Sequence, residues 1–174
     1  MTPERAIYRL GSTIGLIGGA VFVLVNRTAL PPLASTAALV CWIVLLMGAI
    51  WAVWIRRSPQ SADPLPPRPR AGLAYGSACA GMVLLIVAGS NALRLWDMAG
   101  AIPALVAAAV GLHFLPFAQA FRAPFFTLLG LAMTVIGGGG FVLAFVVGVT
   151  WAASAAVLAG LVMTGLIAYD AARP

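Results

Sequence analysis

From Ala123 to Tyr169 the chain carries no charged side chain. A helix rises 1.5 Å per residue and needs about 20 apolar residues to cross a hydrocarbon core of roughly 30 Å. The stretch is therefore too long for one crossing and must turn once. A turn at Gly148-Val149-Thr150 leaves two full spans, whereas a turn at Gly137–Gly140 would leave too few residues before it.

Five boundaries of this kind divide the chain into six apolar runs, at about 7–26, 33–55, 71–93, 98–121, 124–147 and 150–169. With 63% hydrophobic and 8% charged residues, 174 residues lack the polar surface to cover a water-soluble domain. Lipid is the solvent these runs fit, and a spanning segment must satisfy its own backbone hydrogen bonds, which a helix does. Alternating segments of about ten residues, the mark of a membrane barrel, are absent. The expected fold is all-α: one integral membrane domain over residues 1–174, a bundle of six transmembrane helices.

The ten cationic side chains are all arginine. Six crossings collect Arg5, Arg9, Arg56, Arg57, Arg68, Arg70, Arg122 and Arg173 on one side and leave Arg27 and Arg94 on the other. The positive-inside rule then puts both termini in the cytoplasm of a multi-pass protein of the bacterial inner (plasma) membrane. Tyr8, Trp54, Tyr75 and Tyr169 fall at inner ends, and Trp96 and Trp151 at outer ends. The net charge of +6 is thus a topology signal. No basic helix face or aromatic-basic module points to nucleic acid. The first run follows Arg5 and Arg9 and precedes the small residues of PPLASTAA, which resembles a signal peptide. It is read here as a retained helix.

The one long linker, RRSPQSADPLPPRPR at residues 56–70, has five prolines and four arginines and reads as an extended cytoplasmic loop. The other connections are short, which predicts that successive helices are antiparallel neighbours. Gly11-Ser12 and Asn26 recur as Gly76-Ser77 and Asn91, at an offset of 65. This suggests three helical hairpins in series. Membrane ends of similar depth, recruiting similar residues, would produce the same pattern.

Small residues recur every four positions: Gly11, Gly15 and Gly19; Gly72, Gly76 and Ala80; Ala152, Ala156, Gly160, Thr164 and Ala168. Such stripes let helix backbones approach closely in lipid, within a bundle or between copies in a homo-oligomer. Cys41 and Cys79 fall at different depths, too far apart for a disulfide, and read as buried inert thiols.

His113, the only histidine, stands in GLHFLPFA three residues before Pro116, well inside the fourth run. Proline denies the carbonyl of Leu112 its donor and strains the preceding turn. Such a defect persists in lipid only where neighbours or a cavity satisfy it. An ionisable residue inside a span is a candidate ligand or proton group. The alternative is a neutral ring bonded to another helix, filling the defect. Gly137, Gly138, Gly139 and Gly140 suggest close helix packing, a ligand against bare backbone, or a locally unwound helix of the kind transporters use. Asn26 and Asn91, with an Arg94–Asp97 pair, would form either a polar outer mouth or a plain solvated rim. Ligand-binding candidates are therefore His113, Pro116, Gly137–Gly140, Asn26 and Asn91.

No cofactor is expected. Cys79, Met82, Met133, Met163 and His113 lack metal-site spacing, and Glu4, Asp63, Asp97 and Asp170 make no catalytic set, so no enzyme is expected either. GLHFLPFAQAF is similar to a Gly-Leu-His-Phe-x-Pro stretch in small uncharacterised bacterial membrane proteins. That resemblance implies no activity, and it singles out Gly111, His113, Phe114 and Pro116 for testing. Two functions remain open: a transporter or channel-like protein for a small molecule or ion, and a non-transporting accessory or assembly protein that binds partner helices or anionic lipid.

Overall fold

The computed structural model describes residues 3–56 and 69–173, with side chains from Tyr8 onward. The Arg5 side chain and residues 57–68 of the Arg/Pro linker lie outside the described residues. Six helices form: α1 (Pro3–Asn26), α2 (Pro32–Ile50), α3 (Ala71–Leu95), α4 (Ile102–Phe121), α5 (Pro124–Val146) and α6 (Thr150–Ala172). Each belongs to a segment long and apolar enough to cross a membrane. The last turn of α2 widens into a π-helix over Trp51–Ile55.

Local chemistry sets the helix ends. Pro32 and Pro124 open α2 and α5, where a missing N–H costs nothing and the fixed φ suits a first turn. Arg122 closes α4 in the left-handed conformation (φ 52°), and the N–H of Ala123 donates back to the carbonyl of Ala118 at 3.0 Å. Gly148 joins α5 to α6 at φ +147°, a backbone state that side chains disfavour.

Helix α6 is the axis of the bundle. Eleven of its residues are buried, including all but the last of the small-residue series Ala152, Ala156, Gly160, Thr164 and Ala168. Four helices pack on it: α1, α2, α4 and α5. Helix α1 lays Gly15, Gly18 and Gly19 on it. A Cβ at Gly19 would sit 2.6 Å from Thr164 Oγ1, and one at Gly160 would sit 2.7 Å from the Gly19 carbonyl. Met133, Met163, Val23 and Thr164 are the largest fully enclosed side chains. Thr164 donates its hydroxyl to the Gly160 carbonyl at 2.9 Å, so the core holds no loose polar group there.

Adjacency departs from chain order in two places: among the described residues α2 and α3, joined by the Arg/Pro linker, do not touch, and α1 and α2 make no close hairpin. Helices α1 and α2 touch only slightly, because each turns its small-residue face to α6. The most extensive pairing is α4 with α5. Helix α3 is peripheral: it packs on α4 and buries only Ala71, Ser90 and Leu93. Of its small residues, Gly72, Gly76 and Ala80 are exposed, and a Cβ at Gly72 or Gly76 would meet no atom of the described residues within 4 Å.

Two further expectations are corrected. Cys41 is exposed on α2, and Cys79 is only partly buried; apolar runs in lipid need not face inward, so a thiol within a span need not be enclosed. Arg94 and Asp97 form no side-chain bond. Asp97 adopts a left-handed conformation (φ 57°) after the helix ends, which breaks the i, i+3 geometry that pairing requires, and only its backbone N–H meets the Arg94 carbonyl.

Candidate functional site

Helix α4 remains helical through Pro116. The expected cross-helix partner of His113 is not what forms. Its Nδ1 lies 2.5 Å from the carbonyl of Val110, one turn back on the same helix. A carbonyl only accepts, so Nδ1 carries the proton; in a neutral ring Nε2 is then an acceptor. The physical reason is reach: the i−3 carbonyl lies beneath the ring on its own helix, whereas the Leu112 carbonyl belongs to the adjacent residue.

The ring borders a small pocket of about 170 Å³ between α3 and α4. Ala78, Met82 and Leu85 contribute from α3, and Ala109, Leu112 and Pro116 from α4. Small residues on both walls and the N–H-less proline create the gap. Leu85, Leu112 and Pro116 are exposed, so the pocket opens sideways to lipid. His113 is its only ionisable lining group.

Toward the arginine-rich end, α4 switches from small residues to rings. Phe117 meets Tyr75 of α3 with centroids 5.5 Å apart, and Phe126 of α5 at 4.5 Å, both edge-to-face. Phe114 stacks on Phe126 at 5.6 Å. These rings join α3, α4 and α5 just beyond the proline. Edge and stacked pairs of this kind are worth about 0.5–1.5 kcal/mol each beyond their area.

The four-glycine run divides by face. A Cβ at Gly137 would strike the backbone of Ala107 and Ala108 on α4, and one at Gly140 would strike Ala155 of α6. Gly138 and Gly139 have nothing within 4 Å of that position. Gly111 and Gly130 extend the same crossing: a Cβ at Gly111 would lie 2.8 Å from the Gly130 carbonyl, and one at Gly130 2.9 Å from the Gly111 carbonyl. Thr134 caps this contact by donating to the Gly130 carbonyl at 2.7 Å. Helix α5 is continuous across the run, with no unwound turn.

His113 and Pro116 thus share one pocket, and none of Gly137–Gly140 lines it. Asn26 is turned back on α1, its amide donating to the Phe22 carbonyl at 2.9 Å. Asn91 is exposed on α3, which does not touch α1, so the two asparagines do not converge. Met133 and Met163 are core residues, whereas Met82 lines the His113 pocket. Among the described residues, no group of three or more His, Cys, Asp or Glu side chains is placed to hold a metal.

A second and larger space escaped the sequence reading. Between α1 and α2 lies a groove of about 490 Å³, walled by Thr13, Ile17 and Ala20 on one side and Trp42, Leu46 and Trp54 on the other. Its signal was Trp42, an indole deep in a span, where tryptophan usually marks the interface. Trp42 Nε1 is enclosed and makes no hydrogen bond.

Fold and sites together define a polytopic α-helical membrane protein, packed through glycine and alanine faces around a central helix, α6. Beyond that class, a scan of family models and searches of curated proteins and of solved structures each found no match.

Proposed function

We propose that this protein is a non-transporting, non-enzymatic accessory or assembly protein of the inner membrane, with both termini in the cytoplasm. In this reading it works by holding a transmembrane helix of a partner against α3. The observation that carries this is the outward face of α3. Gly76, Ala80, Val87 and Asn91 recur along it, and all are exposed. In water a glycine within a helix costs up to ~1 kcal/mol against alanine, and packing is what offsets that. Gly15 and Gly19 of α1 have such packing against α6; Gly72 and Gly76 have none among the described residues. An exposed Asn91 carboxamide, with no partner among the described residues, is the second half of a helix-docking face: small residues for approach, one polar group for a bond across it.

Transport through a His113 cavity is the competing reading, supported by the pocket between α3 and α4. The separation of His113 from Gly137–Gly140 counts against it, since a substrate path through both would have to cross the tight α4–α5 seam.

A photo-crosslinking residue in place of Val87, activated in native membranes, tests the docking reading. The expected result is one defined adduct, abolished by Gly76→Leu, with the variant still folded. An adduct at twice the chain mass would make the occupant a second copy. Lipid adducts alone would refute docking. Loss of a solute flux in His113→Ala would favour the transport reading instead.

A further inference from the structure

We infer that the groove between α1 and α2 holds one acyl chain of an anionic phospholipid, with Arg9 at its mouth binding the phosphate. This inference is independent of the role given to α3.

The walls are built by spacing. On α1, Thr13, Leu16, Ile17 and Ala20 share a face, and Arg9 continues it one turn toward the arginine-rich end. On α2, Trp42, Leu46, Ile50 and Trp54 follow at steps of four. The π-helical turn winds more slowly than an α-helix, which keeps Trp54 near that line. The glycine face of α1 is committed to α6, so the two walls diverge and leave the groove open.

Its dimensions fit one chain of one leaflet. Trp42 to Trp54 spans about 18 Å at 1.5 Å per residue. Half of a roughly 30 Å hydrocarbon core is about 15 Å, the depth that the chains of a single leaflet fill. The lining offers nothing to a polar solute. The Thr13 hydroxyl is already given to the Arg9 carbonyl at 2.7 Å, and the Trp42 N–H is enclosed. Leu16, Ile17, Ala20, Leu46 and Ile50 offer only apolar contact.

Charge selects the headgroup. An Arg9 guanidinium nitrogen lies 3.5 Å from the carbonyl of Trp54, which places the cation at the groove's end. A guanidinium has five N–H donors in a planar fork, so it can add a phosphate to the partners it already has. Arg56 is held at the same end by a bond to the Ala172 carbonyl. Among the described side chains at this end, Arg9, Arg56, Arg70, Arg122 and Arg173 face one acid, Asp170. A zwitterionic lipid would make the same apolar contacts without the net attraction.

The test uses the full chain in phosphatidylcholine bilayers containing a minor fraction of brominated lipid, read by tryptophan quenching. Brominated phosphatidylglycerol should reach a given quenching at roughly one fifth the mole fraction that brominated phosphatidylcholine needs, the enrichment expected for one arginine at an anionic surface. Trp42→Phe should remove most of this preferential component, which locates it in the groove. Arg9→Gln should make the two lipids equivalent, and Ala20→Phe, which fills the groove, should do the same while helicity is kept. Equal quenching by both lipids in the unmodified protein would overturn the inference. So would an unchanged preference in Arg9→Gln or Ala20→Phe, or a groove closed by a second copy and shielded from both lipids.

Discussion

Gly137→Ala is the sharpest perturbation of this bundle, because it adds one methyl where two backbones cross. That methyl would lie 2.8 Å from the Ala107 carbonyl carbon and 2.8 Å from Ala108 Cα. Carbon atoms rest at about 3.5–4.0 Å, so α4 and α5 must separate by about 0.7 Å or more at this point. No side chain can rotate away, since the obstacles are main chain. Overpacking of this kind typically costs about 1–3 kcal/mol. The next glycine supplies the control. A methyl at Gly138 meets nothing within 4 Å, so Gly138→Ala should be neutral or gain up to ~1 kcal/mol from helix propensity. Reversible unfolding of the purified protein in mixed micelles, followed by helicity, measures both. The expected order of stability is Gly138→Ala at or above the unmodified protein and Gly137→Ala well below it. If Gly137→Ala matches the unmodified protein, or if Gly138→Ala is the damaging change, the assignment of α5 faces is wrong.

Gly19→Ala should destabilise by a similar ~1–3 kcal/mol, because its Cβ meets Thr164 Oγ1 at 2.6 Å. Combining it with Thr164→Ala should recover part of the loss, visible as non-additivity in a double-mutant cycle. Phe117→Ala removes the ring that joins Tyr75 and Phe126, and should lower the melting temperature while leaving the α1–α6 contact intact by crosslinking. Gly148→Ala should destabilise by about 1–3 kcal/mol, because its φ of +147° suits glycine alone; a melt indistinguishable from the unmodified protein would show that the turn relaxes freely. Reporter tags on the two termini should read the same compartment, as an even number of crossings requires.

The helical class and the number of spanning helices were legible in the residue order. Lipid offers no partner for backbone N–H and C=O groups, so run length and charge position alone dictate where the chain can cross. The uncharged stretch from Ala123 to Tyr169 had to turn, and it turns at Gly148. Local rules also carried the prolines that open α2 and α5.

Which face meets which helix was not legible. In water a buried face announces itself by being apolar, but in lipid the exposed face is apolar too. Gly19 and Gly76 belong to similar stripes, yet a Cβ at one would strike Thr164 and a Cβ at the other would meet nothing within 4 Å among the described residues. Gly137 and Gly138 are adjacent and identical, and only the path of α4 makes one a crossing point and the other a surface. His113 reads in sequence as a ligand or proton group or as a ring bonded to another helix, and the tertiary structure shows its ring bonded within its own helix. Hydrocarbon demands helices from the residue order; the choice among their faces belongs to steric fit between side chains, which exists only once the helices are together.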